Sequence, residues 1–167
     1  MRDKRTILRA LLPAILLSIL PIAPGAALAQ DLCNHLDALI GHAQIGFVGL
    51  AESSPEEAED QSAKTGLADA SGCSVRKTTQ GNVYLCDWAF PHRAKQAYDR
   101  FESLARDVHD CLGERAVLHN DQSVNHPDYY ALRRFETDRA SVSVSVKDKA
   151  ALDRTYVFVG IQGSKAD

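Results

Sequence analysis

SVSVSVK, residues 141–147, is the stretch that decides the fold of this 167-residue chain. Serine and valine alternate without interruption, and successive side chains of a β-strand point to opposite faces of a sheet. The pattern therefore predicts a strand whose valines, Val142, Val144 and Val146, face a core while the serines face solvent. One buried face and one polar face are typical of an antiparallel sheet that is covered on one side only.

Neighbouring segments follow the same two-residue period. TYVFVGIQG, residues 155–163, places Tyr156 and Phe158 on the face opposite to its branched aliphatic residues. Residues 129–136 read as a third strand and residues 115–119 as a short fourth. The C-terminal half of the chain is therefore predicted to be a sheet.

Two further strands surround a glycine turn in CSVRKTTQGNVYLCDWAF, residues 73–90. Residues 74–78 and 82–90 have strand-like composition, and a turn at Gln80 and Gly81 uses the positive φ that glycine supplies in tight hairpins. This segment is therefore predicted to be a β-hairpin.

All four cysteines lie after residue 30, and an even number of cysteines in an exported chain predicts two disulfides. The hairpin brings Cys73 near Cys86. A turn centred on the Gln-Gly dipeptide leaves this pair two residues out of register, so a bulge or a diagonal bridge is required. Cys33 and Cys111 then form the second pair. The alternative connectivity joins Cys33 to Cys73 and Cys86 to Cys111.

Two amphipathic helices accompany the sheet. Apolar residues recur at three- and four-residue spacing from Ala94 to Leu112, which predicts a long central helix that starts near Pro91 and stops at Gly113. A second stripe predicts a short N-terminal helix over residues 31–47. The predicted fold is α+β: two helices packed on a mostly antiparallel sheet of about five or six strands, with two disulfides.

The first 29 residues have the features of a secretory signal peptide. Basic residues precede an apolar run over residues 10–20, and Ala27-Leu28-Ala29 fits a cleavage site before Gln30. A membrane span needs about 20 continuous apolar residues, and prolines interrupt this run. We therefore expect a periplasmic or secreted single domain over residues 30–167, with no stable membrane anchor after cleavage.

Charge limits the partners of this domain. After the leader, 21 acidic residues face 15 Lys and Arg, and no basic run appears, so nucleic acid is not expected as a partner. The acidity is concentrated in ESSPEEAED, residues 52–60, which predicts a flexible acidic loop at about 50–70. VKDKAALDR, residues 146–154, reads as a charged turn between strands.

A histidine, two aspartates and two tyrosines occur together in NDQSVNHPDYY, residues 120–130. Asn, Asp, Ser and Pro are turn residues, and the segment lies between two predicted strands. We expect a loop that is either a plain connection or a segment that presents polar and aromatic side chains to a binding partner. The residues expected to make these contacts are Asn125, His126, Asp128, Tyr129 and Tyr130.

Two sharper interpretations of the same loop have little support. A metal site would use His119, Asp121, His126 and Asp128, but their spacing matches no zinc or calcium motif. A small hydrolase would use His126 with a neighbouring acid and Ser123 as the nucleophile, but no G-x-S-x-G element accompanies them. No catalytic residue, metal or cofactor is therefore predicted.

The position of the aromatic residues separates a core from a binding surface. Tyr84, Trp88 and Phe90 share one phase of their strand, and Tyr156 and Phe158 share one phase of theirs. Aromatics beneath a helix are core, which is the arrangement that we expect. Aromatics on the helix-free face would form an apolar patch that marks a partner or ligand site.

These features favour an exported, non-catalytic binding module of the cell envelope, whose partner is another envelope protein. Its architecture is shared by inhibitors, immunity proteins and accessory factors, although architecture alone says little about function. The alternatives are the small periplasmic hydrolase using His126 and a carrier of a small apolar ligand held between helix and sheet.

Overall fold

The computed structural model describes residues 24–52, 60–121 and 128–164, with side chains from residue 31 onward. In these residues two α-helices pack on one face of a seven-stranded antiparallel sheet, and two disulfides cross-link the chain. The predicted α+β class is confirmed. The sheet has one strand more than the upper predicted number.

Two helices and seven strands follow one another along the described parts of the chain. The helices are α1 (Pro24–Ala43) and α2 (Lys95–Leu112). The strands are β1 (Asp60–Ser62), β2 (Gly72–Thr78), β3 (Gly81–Pro91), β4 (Val117–Asp121), β5 (Tyr130–Glu136), β6 (Ala140–Lys149) and β7 (Arg154–Gly163). Their order across the sheet is β1-β2-β3-β7-β6-β5-β4, and all neighbours are antiparallel.

The valine phase of β6 forms the centre of the core. Ala140, Val142, Val144 and Val146 have no exposed surface, whereas the intervening serines are half-buried on the opposite face. The same alternation of buried and half-buried residues continues in β7 from Thr155 to Val159. The predicted strand and its inward face are confirmed.

The apolar stripe of α2 covers this valine face. Its buried residues are Ala97, Phe101, Leu104, Ala105, Val108 and Leu112. The predicted start at Pro91 is wrong, because Pro91 ends β3 and the helix begins at Lys95 after a short turn. Gly113 stops the helix as predicted, with a φ of 52° that glycine adopts without steric cost.

The N-terminal helix differs from its prediction at both ends. The apolar stripe indicated residues 31–47, whereas α1 spans Pro24–Ala43 and is not the shorter of the two helices. The helix ends at Ala43 because Gly46 and Phe47 adopt φ values of 63° and 61°, outside the right-handed helical region. Phe47 is still fully buried, so a turn rather than the helix places it in the core.

The β2–β3 hairpin brings its cysteines into direct register. Cys73 pairs with Cys86 and Thr78 with Gly81, which leaves a two-residue turn between Thr78 and Gly81. The expected offset and bulge are therefore wrong, since the turn lies one residue earlier than predicted. Gly81, with a φ of 114°, is the first residue of β3.

Both predicted disulfides are present. Cys73 and Cys86 are bonded with their Cα atoms 4.1 Å apart, which links β2 to β3. Cys33 and Cys111 are bonded across 78 positions of the sequence and fasten α1 to the last turn of α2. The alternative connectivity is excluded. Two disulfides are typical of a protein of an oxidising compartment.

Strand boundaries near the charged segments also differ from the predictions. β6 continues to Lys149 and β7 begins at Arg154, so the turn expected over residues 146–154 is only a 3₁₀ turn, Ala150–Leu152, and Asp153. β4 begins at Val117 rather than at residue 115, because Gly113–Arg115 forms a second 3₁₀ turn. Asp148 consequently lies inside a strand, a point that matters for the site.

The predicted acidic loop and leader are only partly within the described residues. Residues 53–59 lie outside them, while residues 60–62 form β1 and Leu67 is buried. Residues 1–23 of the predicted signal peptide also lie outside, and its last six residues belong to α1. In the described part of the chain, neither helix has the length and apolar character required to cross a membrane.

Candidate functional site

The two faces of the sheet differ in what covers them. Both helices contact the central strands β3 and β7, and the residues buried beneath them belong to one hydrophobic core. The outward phase of the strands, which we call the open face, contributes no residue to that core. Its larger apolar and aromatic members are Val83, Leu85, Val117, Tyr130, Leu132, Tyr156 and Phe158.

Cross-strand register places the aromatic side chains near the middle of the open face. Phe158 of β7 lies between Asp87 of β3 and Ser145 of β6. Tyr156 is stacked on Phe158, with ring centroids 5.8 Å apart and planes inclined by 19°. The pair is half-buried, and the neighbouring serines are too short to cover it. An apolar patch in a polar surround is typical of a binding surface.

The sequence alternatives for the aromatics have different outcomes. Tyr84 and Trp88 are buried under the helices, and Phe90 packs against the same core, as expected. Tyr156 and Phe158 lie instead on the open face, where they form a half-buried apolar patch on the side that the sequence left as the alternative. The difference arises because β3 and β7 carry aromatics in opposite phases.

One corner of the open face is basic. Lys149 of β6 lies directly opposite Arg154 of β7, and Lys147 lies opposite Tyr156. None of these cations forms an ion pair with a described residue, and like charges placed opposite each other in a sheet are destabilising. Lys147 Nζ lies 5.8 Å from the centre of the Tyr130 ring. This basic corner contrasts with the acidity of the chain as a whole.

Three of the five predicted binding residues are described, and they do not share one surface. Tyr130 lies on the open face beside Lys147, whereas Tyr129 is half-buried on the helix side, with its ring edge-on to Tyr98 at 5.7 Å. Asp128 accepts a hydrogen bond of 3.0 Å from the backbone N–H of Ala150. Asn125, His126 and Ser123 lie outside the described residues, so their predicted roles stay predictions.

A buried carboxylate lies next to this loop and was missed from the sequence. Asp148 is fully buried and accepts hydrogen bonds from the hydroxyls of Thr155, at 2.7 Å, and Tyr98, at 3.0 Å. Arg93 Nε lies 3.2 Å from its second oxygen, and the Arg93 backbone N–H donates to Thr155. The backbone N–H of Asp148 donates to Tyr129 O.

This cluster fastens three elements at one end of the sheet. Asp148 ends the valine phase of β6, Tyr98 belongs to the first turn of α2, and Thr155 belongs to β7. Burial raises the pKa of Tyr98 to about 12, and its hydrogen bond to the Asp148 carboxylate acts in the same direction. Because the Asp148 carboxylate has both oxygens hydrogen-bonded and no exposed surface, the cluster suits a structural role better than a catalytic one.

A signal for Asp148 was present in the sequence. The residue continues the phase of Val142, Val144 and Val146, so an unbroken alternation points its carboxylate inward. A buried charge requires hydrogen-bonding partners. Those partners are 50 or more residues away for Tyr98 and Arg93, and nothing local in the sequence identifies them.

The described geometry does not support a metal site or a catalytic site in residues 119–128. His119 and Asp121 are exposed on β4, opposite Arg134 and Leu132 of β5. Over residues 24–52, 60–121 and 128–164, no three His, Cys, Asp or Glu side chains are grouped in a way that could hold a metal ion. The candidate site that remains is the open face with its basic corner.

Comparison with known proteins gives no family for this chain. No protein-family model, curated protein or solved structure matches it.

Proposed function

We propose that this chain is an exported, non-catalytic binding module of the cell envelope that binds another protein through the open face. The observation that carries the proposal is the apolar patch around Tyr156 and Phe158, which no described element covers. Interfaces combine a central apolar or aromatic region with a polar rim, and the open face has both. The two disulfides suit an oxidising compartment and support export.

The chemistry of the partner follows from the basic corner. Lys147, Lys149 and Arg154 are unpaired among the described residues and border the aromatic pair. A partner surface with acidic residues beside apolar ones would neutralise the Lys149–Arg154 repulsion and cover the rings. Such complementarity acts mainly on the rate of association and on specificity. Tyr130 extends the same surface toward the predicted binding loop that contains His126.

The first test removes the aromatic pair. Tagged chain from a periplasmic extract identifies a candidate partner, and isothermal titration with the purified partner measures the affinity. Tyr156→Ser with Phe158→Ser should weaken binding by at least tenfold, about 1.4 kcal/mol, because central aromatic residues dominate interface energy. The matched control replaces Ile45 and Val48, 59% and 62% exposed in the turn that follows α1, by serine.

Charge reversal tests the partner's chemistry. Lys149→Glu with Arg154→Glu should slow association and remove most of its salt dependence, because oppositely charged surfaces attract over distance. A partner that binds the Tyr156→Ser, Phe158→Ser variant as tightly as the unchanged chain would contradict the proposal. Sedimentation analysis tests for a homodimer. A homodimer that dissociates when Tyr156 and Phe158 are replaced by serine would also contradict the proposal, because the open face would then bind a second copy of this chain.

A further inference from the structure

A cleft opens beside Trp88 on the helix side of the sheet, away from the open face. It lies between α1, α2 and the segment that precedes β2, and its volume is about 300 Å³. Leu67, Trp88 and Leu104 form its apolar floor, and each is at least nine-tenths buried. Such a volume is at the lower end of the range for small-molecule pockets. We call this feature the Trp88 cleft.

Hydrogen bonds to one carbonyl hold the walls of the cleft. The indole N–H of Trp88 donates to Ala68 O at 3.3 Å, and Arg100 Nη2 donates to the same oxygen at 3.0 Å. The Arg100 guanidinium lies over the Trp88 ring, 4.9 Å from its centre. These two contacts hold the Arg100 side chain in one position at the wall of the cleft. The cleft is a preformed cavity, because both of its large side chains are already positioned.

The other end of the same segment is also fixed. Thr65 O accepts a hydrogen bond of 2.9 Å from the hydroxyl of Tyr84, and Thr65 Oγ1 lies 2.8 Å from Nε2 of His35 in α1. These contacts join residues 65–68 to β3 and to α1. Hydrogen bonds therefore hold both ends of the segment that forms one wall of the cleft.

Carboxylates surround the apolar floor. Asp31, Asp69 and Asp107 line the cleft, and none of them forms an ion pair with a described residue. Among the described residues, Asp107 accepts a hydrogen bond of 3.4 Å from the Ser103 hydroxyl. Arg100 is the lining cation, and it is held against Trp88. The lining therefore carries more negative than positive formal charge, which favours a cationic ligand.

We propose that the Trp88 cleft binds a small organic cation, an ammonium group joined to a short apolar body. The ammonium would neutralise the carboxylates of Asp69 and Asp107, and the apolar body would cover Leu67, Leu104 and the indole. Binding of this kind combines burial of apolar surface with an opposite charge. The proposal is independent of the proposed protein interface, which lies on the other side of the sheet.

Trp88 makes a direct test possible, because it is the chain's single tryptophan. The oxidised chain is titrated with phenethylamine and with hydrocinnamate, which has a similar apolar body and the opposite charge, and indole fluorescence is recorded. Phenethylamine should give a saturable change that calorimetry reproduces. Hydrocinnamate should bind at least about tenfold more weakly, because it places like charges together.

Two variants locate the site. Asp69→Asn with Asp107→Asn should weaken phenethylamine binding about tenfold, since both carboxylates are neutralised. The difference between the affinities for phenethylamine and hydrocinnamate should therefore decrease. Asparagine tolerates the φ of 60° at position 69, so the backbone is retained. Asp110→Asn on the same helix is the control, because Asp110 is exposed and does not line the cleft.

Each outcome decides the proposal. Selective binding of the amine that depends on Asp69 and Asp107 but not on Asp110 supports it. Absence of a saturable response, equal affinity for the amine and the acid, or amine binding that survives the double variant overturns it. Circular dichroism and the thermal midpoint check that the variants keep the fold, which is expected because the two carboxylates make no ion pair with described residues.

Discussion

Adjacent residues of one strand differ in burial, because their side chains lie on opposite faces of this sheet. Val144 has no exposed surface beneath the helices, whereas Ser145 is half-buried on the open face beside Phe158. The helix-covered face holds the hydrophobic core, and the open face lies outside it. The difference teaches that folding depends on one phase of each strand and leaves the other phase available for function.

Each face contains an exception to its own pattern. On the helix-covered face Asp148 is charged, and Thr155, Tyr98 and Arg93 satisfy its carboxylate. On the open face Phe158 is apolar, and the stacked ring of Tyr156 is its aromatic contact. The first exception is compensated within the protein and so contributes to structure. The second lacks such compensation among the described residues, which is the usual condition of a binding residue.

The largest expected effect comes from removing the buried charge. Asp148→Ala should lower the free energy of unfolding by about 3–5 kcal/mol, because it removes buried atoms and leaves the hydroxyls of Thr155 and Tyr98 without their acceptor. Urea unfolding of the oxidised chain measures the loss. Asp148→Asn, which keeps an acceptor, should lose less. A loss below about 1 kcal/mol would show that the helix-covered face does not need the cluster.

A smaller effect follows from trimming neighbours on opposite faces. Val144→Ala should cost about 2–3 kcal/mol, since it removes buried methyl groups from a core that cannot fully close around the space. Ser145→Ala should stay within about 0.5 kcal/mol, the usual range for surface substitutions. The same urea titration measures both variants. Equal losses of unfolding free energy in the two variants would contradict the conclusion that stability depends mainly on the helix-covered face.

The smallest effect concerns the carboxylate beside Phe158. Burial raises the pKa of Asp87 above its ordinary value, so the ionised form is disfavoured in the folded chain. Asp87→Asn should therefore raise stability slightly at neutral pH, by no more than about 0.5 kcal/mol. Below the ordinary carboxyl pKa the protonated Asp87 carries no such penalty, and the advantage of the variant should disappear. Thermal midpoints at neutral and acidic pH test both statements.

The sequence predicted what local periodicity controls. The serine–valine alternation gave the strand, its inward face and the sheet class, and the apolar stripe gave α2. Prediction failed where tertiary contacts decide. Asp148 was assigned to a turn because its partners are distant in sequence, and β1 is three residues long without a pattern of its own.

The candidate sites were less predictable than the fold. The phase of Tyr156 and Phe158 was visible, but which phase the helices cover depends on packing. The Trp88 cleft depends on the carbonyl of Ala68, which binds both Trp88 and Arg100, and on the left-handed backbone at Asp69. No side-chain pattern encodes those backbone positions.

The nested disulfides affect the order in which the chain can be oxidised. Cys33 pairs with Cys111, and the Cys73–Cys86 bond lies inside that loop. A chain that enters an oxidising compartment N-terminus first presents Cys33 and then Cys73, so pairing in order of arrival joins the wrong thiols. Correct oxidation requires Cys33 to wait for Cys111 or an isomerase to exchange the bond, a step that takes seconds to hours. For a chain that enters such a compartment in this order, the nested connectivity therefore requires either delayed pairing of Cys33 or disulfide isomerisation.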